Sequence, residues 1–381
     1  MRLASPSLAR GLPLRLSAIV AGCLLAFAAV FAVLVLRPAT ETLAHEQLRL
    51  SAGWIRAQAL RDIDAVGSML DTTLAFARGK HLDVDREHDF VSLTLPLLQG
   101  NPRVSAIMIA DEDGREVFLI RQGENWRSRV VHAESVGRQA SWTQWSASDG
   151  QVIGHDLRDS DYDPRNRPWF AGARALSRDG EHGWTAPYLF YTAQQPGMTR
   201  YTRWRGADGR MRVLAIDLLL TDLSAFTAAH IIGQHGGPAV LAADGRVLGL
   251  PRSPAMLGAD RLLAPATGLG VPYLADGYAA WQTTGGTTQA YTFESGGETW
   301  VGLFESLPLG AQQLHIGSFA RMRDFVPAQL GSLLLLAGLV VLAGLIGLGV
   351  AMLLARRITR PLQQLVGRSE RIADGDLSSL T

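Results

Sequence analysis

Two stretches of this chain lack any charged residue, residues 16–36 and residues 330–355. At about 1.5 Å rise per residue, each is long enough as a helix to cross a hydrocarbon core of roughly 30 Å. A cleaved signal peptide is the competing reading of the first. Its apolar run outlasts the roughly 7–15 residues of such segments before Arg37-Pro38 ends it, which predicts an uncleaved anchor. A buried core helix is the competing reading of the second, and core helices seldom run this far without a polar face. Between the spans, residues 40–78 place Leu43, Leu50, Trp54, Ala57, Leu60, Ile63, Val66, Leu70 and Leu74 mostly at three- and four-residue steps, which predicts a long helix or two shorter helices broken near Gly53.

Beyond Asn101-Pro102 the pattern changes to short apolar runs separated by turn signals. Residues 104–110 and 117–120 flank Asp111-Glu112-Asp113-Gly114, and residues 239–242 and 247–250 flank Asp244-Gly245. Both read as a hairpin closed by a two-residue Asp-Gly turn, so the segment holds what looks like two copies of one unit. Further strands are predicted at 211–218, 289–293, 299–304 and 313–318, a short helix at 171–177, and glycine-rich loops from Gly268 to Gly286. Two tandem α/β units, each on an antiparallel sheet, fit this grammar better than one large domain.

Charge sets the orientation. Arg2, Arg10 and Arg15 precede the first span, while Arg356, Arg357 and Arg360 follow the second. The positive-inside rule then predicts that both termini are cytoplasmic and that the intervening segment lies outside, in the periplasm or exterior of a bacterial cell. Composition narrows the chemistry. With 36 basic against 35 acidic residues the net charge is +1, which argues against a nucleic-acid-wrapping surface. Cys23 is the single cysteine, which excludes an intramolecular disulfide framework, a four-cysteine zinc site and a CxxC redox pair. The nine histidines form no HExxH pair, and neither a GxSxG elbow nor a phosphate-loop motif occurs. No catalytic residue, metal site or cofactor is expected.

The densest polar and aromatic run is Asp161-Tyr162-Asp163-Pro164-Arg165-Asn166-Arg167-Pro168-Trp169-Phe170. Arginine offers a planar fork matched to a carboxylate, and tryptophan an aromatic wall. Trp184, Tyr188, Tyr191, Tyr201 and Trp204 continue the aromatic series, and Asp217 ends a strand with a carboxylate able to meet an ammonium. Together they suit a zwitterionic ligand. The alternative is a proline-rich loop pinned by an Arg–Asp pair, with the aromatics as core.

The string YDPRNRPWF, followed by WTAPYLFY, QPGMT and VLAIDLLLTDLSAF, resembles the membrane-distal subdomain of double Cache sensor domains, the PAS-like extracytoplasmic modules of bacterial receptors. The resemblance covers roughly residues 37–325. In amino-acid- and amine-binding members the matching positions contact the ligand, which implies Tyr162, Arg167, Trp169, Phe170, Tyr188 and Asp217 as ligand-binding residues here. Phe170 departs from the family's tyrosine: the ring is kept and the hydroxyl lost. In the tail, the stretch from Arg356 through Leu365 to Asp374-Gly375-Asp376-Leu377 is similar to the start of a HAMP linker. Independently, Ile358, Leu362, Leu365, Ser369 and Ile372 step by four and three, the seam of a coiled coil. HAMP modules are parallel dimers, so the resemblance implies a homodimer.

The expected fold is α/β (α+β), with tandem PAS-like subdomains on a long N-terminal helix. The expected order is a cytoplasmic tail (1–15), first span (16–36), stalk helix (37–78), membrane-distal subdomain (79–228), membrane-proximal subdomain (229–326), second span (330–355) and partial HAMP linker (356–381). The expected function is that of an inner-membrane receptor. It senses a small extracytoplasmic ligand, an amino acid, an amine or an organic acid, and relays it to a cytoplasmic output module. The alternative is the sensory part of a receptor enzyme, such as a cyclase, phosphohydrolase or histidine kinase, whose output domain lies past Thr381.

Overall fold

The computed structural model describes residues 19, 22–79, 82–132, 139–252, 258–325, 327–354 and 357. The expected tail (1–15) and the coiled-coil seam from Ile358 to Ile372 lie outside the described residues. The chain divides into two compact units, one of residues 1–44 with 325–381, the other His45–Asp324.

Helix α1 spans Gly22–Arg78 and is, among the described residues, the one helix long and apolar enough to cross a membrane. Its Ala32–Leu36 turn is π-helical. Pro38 accounts for this: it lacks an N–H and its ring crowds the carbonyl four residues back, so the preceding turn widens. No break occurs at Gly53. The stripe that α1 buries differs from the expected one in its first half. Ala44, Leu48, Ala52 and Ile55 are buried, while Leu43, Leu50 and Trp54 are exposed. Alanine on the packed side permits close approach, and size alone therefore pointed to the wrong face. The expected second span falls on α6, Pro327–Leu354, whose described apolar stretch is Ala337–Val350.

Within His45–Asp324, fourteen strands are described, and they form two antiparallel sheets. The first comprises β1 Val104–Asp111, β2 Arg115–Gln122, β3 Asn125–His132, β4 Gln139–Trp145, β5 Val152–Asp159, β6 His182–Trp184, β7 Tyr188–Leu189, β8 Pro196–Arg205 and β9 Met211–Leu219, in the order β5-β4-β3-β2-β1-β9-β8-β6, with β7 on β8. The second comprises β10 Gly237–Ala242, β11 Val247–Gly249, β12 Tyr291–Ser295, β13 Glu298–Leu309 and β14 Gln312–Arg321, in the order β11-β10-β14-β13-β12. The remaining helices are α2 Glu87–Gly100, α3 Pro168–Arg174, α4 Leu220–Ala229 and α5 Pro272–Thr283. The two sheets follow one another along the chain, and both belong to the one compact unit His45–Asp324.

Three expectations need correction. The turns Asp111–Gly114 and Ala242–Gly245 are four-residue turns, with Gly114 N–H donating to Asp111 O (3.1 Å) and Gly245 N–H to Ala242 O (3.0 Å). Only the glycines take positive φ, 78° and 81°, so each is the last residue of its turn and the left-handed residue of a bulge. The short helix α3 begins at Pro168 rather than 171, because proline is preorganised for the first helical position. In the glycine-rich stretch from Gly268 to Gly286 a helix, α5, starts at Pro272 and buries Tyr273, Leu274 and Gly277.

One face of the first sheet presents Ala106, Met108, Phe118, Val213 and Ala215, and the excursion between β5 and β8 folds over it with Trp169, Phe170 and Ala173. The alanines of β1 and β9 make room for those rings. In the second sheet, Gly236 bridges to Ile232 and runs against β14, where a Cβ would fall onto the Phe319 carbonyl. Gly236→Ala should therefore destabilise the chain by about 1–3 kcal/mol, as overpacking does. Chemical denaturation monitored by tryptophan fluorescence measures it, and an unchanged midpoint would show that the strand can move aside.

Candidate functional site

The loop Asp161–Phe170 is shaped by its two prolines. Residues before proline are driven out of the helical region, and Asp163 (φ −125°, ψ 117°) and Arg167 (φ −90°, ψ 147°) are both extended. Asp163 caps the short turn that follows, accepting from Arg165 N–H at 2.9 Å, and pairs with the Arg165 guanidinium at 2.9 Å. Arg165 is thereby held locally. Arg167, one step before α3, instead reaches across the loop: its Nη2 donates to Leu189 O at 3.3 Å, and its guanidinium carbon lies 6.0, 5.7 and 5.8 Å from the ring centres of Tyr162, Tyr188 and Tyr191.

Below this loop lies a pocket lined by Arg129, Tyr162, Arg167, Trp169, Tyr188 and Asp217, among others. Five of the six expected ligand-binding residues therefore converge. Phe170 does not line it; its buried ring meets Trp169 edge-on at 5.7 Å within the core of the sheet face. Tyr188 and Asp217, far apart in sequence, are joined by Thr199: the Tyr188 and Thr199 hydroxyls are 2.8 Å apart, and Thr199 Oγ1 donates to Asp217 Oδ1 at 2.6 Å. The register explains the bridge, since Thr199 on β8 pairs directly with Asp217 on β9.

Sequence reading missed the floor of the pocket. Glu116 on β2 is fully buried, and its Oε2 accepts from Arg129 Nε (3.1 Å) and Nη2 (2.6 Å), while its Oε1 accepts from the Tyr162 hydroxyl (2.8 Å). Arg129 on β3 also donates to Thr192 Oγ1 (2.7 Å), and its guanidinium carbon sits 3.7 Å from the Tyr162 ring centre. A signal was present: strand alternation puts Glu116, Phe118 and Ile120 on one face and Arg127, Arg129 and Val131 opposite them, so both charges point inward. Only recognition of β3 as a strand would have exposed it.

Burial governs the electrostatics. It opposes the charge on Arg129, but the Glu116 carboxylate and Tyr162 outweigh it and hold the guanidinium protonated. The Tyr162 phenol is raised well above its usual range by burial and then by Glu116, and that of Tyr188 is raised by burial and then by Asp217. Asp217 is pushed up to about 7, chiefly by burial, with the Thr199 hydrogen bond opposing. The site thus offers the guanidinium of Arg167, an Arg129 already matched by Glu116, neutral phenols, and one carboxyl that changes state near neutrality. That set can hold a carboxylate at Arg167 and, when Asp217 is ionised, an ammonium beside it.

Comparison with known proteins adds the following. Residues 353–380 match the HAMP domain family. A search of curated proteins finds no significant match. Among solved structures, the chain is similar to the ligand-binding domain of the Pseudomonas aeruginosa amino acid chemoreceptor PctB in complex with L-Arg, at 17% identity and a TM-score of 0.44, over 75% of this chain and 96% of that one. It is also similar to the ligand-binding domain of the Campylobacter jejuni chemoreceptor Tlp3 in complex with 4-methylisoleucine, at 12% identity and a TM-score of 0.48, over 77% and 96%. The ligand-binding domain of the Pseudomonas fluorescens chemoreceptor CtaA in complex with L-isoleucine matches at 15% identity and a TM-score of 0.43, over 77% and 96%.

Two outcomes follow from the buried charges. Arg129→Met leaves Glu116 buried and unpaired, and should cost about 3–5 kcal/mol in chemical denaturation, with Glu116→Gln added to it restoring part of the loss. If the double variant is as unstable as the sum of its singles, the two side chains do not act as a pair. Asp217 binds its proton more tightly folded than unfolded, so its contribution to stability is present at low pH and is lost as pH rises from about 4 to about 7. The difference in melting temperature between the wild type and Asp217→Asn should shift in favour of the variant across that window, and a pH-independent difference would refute the assignment.

Proposed function

We propose that the chain is a transmembrane receptor whose outer unit binds a small ligand carrying a carboxylate, an amino acid or organic acid, between the Asp161–Phe170 loop and the face of the first sheet. The convergence of Arg129, Arg167, three tyrosines and Asp217 on one small, partly open pocket of about 20 Å³ carries this reading. Arg167 is the group that meets the ligand carboxylate, since Arg129 is already held by Glu116. Tyr162, Trp169 and Tyr188 wall the ligand, and Asp217 answers an ammonium where one is present. Phe170 supports the rings from behind and gives the ligand no hydroxyl.

The HAMP match begins at residue 353, at the end of α6, which supports relay from the outer unit through the second apolar helix to the cytoplasm. In this reading both termini are cytoplasmic, the receptor is a parallel homodimer, and the chain senses without catalysing. A ligand shifts such a receptor only as far as its affinity differs between two states, on the order of 1–3 kcal/mol.

The test is a thermal-shift screen of the full chain in lipid nanodiscs against amino acids, amines and organic acids. At least one carboxylate-bearing compound should raise the melting temperature, because a ligand bound only by the folded state stabilises it in proportion to its occupancy. Arg167→Ala should weaken that response at least tenfold in ligand concentration, about 1.4 kcal/mol, with little change in the unliganded melt. Lack of any stabilising compound, or an equal response from Arg167→Ala, would remove the pocket from consideration.

A further inference from the structure

A second cavity, of about 330 Å³, lies on the opposite side of the first sheet from the arginine pocket. Its walls come from three places: Ile63 and Val66 of α1, Leu218 and Phe226 of β9 and α4, and Leu307 and Ile316 of the second sheet. Strand alternation sets the two sites back to back. Thr199 and Asp217 are a cross-strand pair that faces the arginines, and the adjacent pair, Met198 and Leu218, lines the second cavity.

The volume is far above a packing defect. Protein interiors leave few voids larger than a water, whereas an apolar cavity of about 150 Å³ already takes a benzene, and small-molecule sites begin at roughly 300 Å³. The lining also carries three charged residues, Asp62, Arg103 and Asp222. Arg103 pairs with Asp62 and lies 5.4 Å over the Phe226 ring, and burial raises the Asp222 carboxyl, with the charges of Arg121 and Arg103 opposing. Asp62 and Arg103 are thus taken up by each other, and Asp222 is left, among the described lining residues, as the one carboxyl outside an ion pair. A charged group carried in among Ile63, Val66, Leu218, Leu223, Leu307 and Ile316 would lose water against a mainly apolar lining.

We propose that this cavity is a second ligand site, taking an uncharged, largely apolar small molecule of about the size of a substituted benzene ring. It does not depend on the assignment of the arginine pocket.

The experiment compares three compounds with a shared apolar body, 2-phenylethanol, phenylacetate and 2-phenylethylamine, by calorimetry on the full chain in nanodiscs, with empty nanodiscs subtracted. Measurements use the Arg167→Ala chain as well as the wild type, so that binding at the arginine pocket is separated. Saturable binding of 2-phenylethanol to both chains is expected, at least tenfold tighter than either charged compound in Arg167→Ala. Leu223→Trp, which fills the cavity from α4, should weaken it at least tenfold. Ala59→Phe fills it from the partly exposed side of α1 and serves where Leu223→Trp does not melt cooperatively. Absence of saturable binding beyond empty nanodiscs, undiminished binding in the filled variants, or equal affinity for the charged compounds would each overturn the proposal.

Discussion

The buried pair of Glu116 and Arg129 is the constraint on which the first sheet depends. Neither charge reaches water, so each must be answered by the other and by neighbouring donors or acceptors. The Tyr162 hydroxyl takes the second oxygen of Glu116, and the Tyr162 ring covers Arg129. A loop that begins with Tyr162 is thereby tied to the middle of the sheet. Everything that loop carries, Arg167 and Trp169 included, is positioned from that anchor. A hydrophobic substitute of similar volume could fill the same space, but it would not fix which tyrosine docks where.

From this anchor the site is ordered by chain geometry. Pro164 and Pro168 each force an extended residue before a short helix, so Asp163 and Arg167 leave the backbone at defined places. One binds locally to Arg165 and the other crosses the loop. The strand register does the rest, bringing Thr199 opposite Asp217 and leaving Tyr188 to complete the chain of hydroxyls. Polar groups are joined to one another on this face, while at the adjacent pair the reverse face presents Met198 and Leu218.

Sequence reading recovered these features unevenly, for physical reasons. The apolar helices and the Asp-Gly hairpins were legible because their signals are local: an uncharged run, and a glycine in a turn that requires it. Tyr162, Arg167 and Trp169 were legible because they stand together in one short string. Glu116 and Arg129 were not, since a charged residue inside a strand reads as solvent-facing until its partner on the next strand is known. β3, β4 and β8 carry Arg, Ser, Thr and Gln among their apolar positions and offer weak alternation to a reader of one sequence. The buried stripe of α1 was misread near Leu50 and Trp54 because large residues drew attention from the alanines that pack.

The π-helical turn at Ala32–Leu36 has a mechanical meaning. It inserts one residue into the winding of α1, and one residue is about 100° of rotation. The stripe formed by Ala44, Leu48, Ala52 and Ile55 therefore cannot be extrapolated backwards into the apolar segment by counting threes and fours. Counting of faces along α1 thus starts afresh after Pro38.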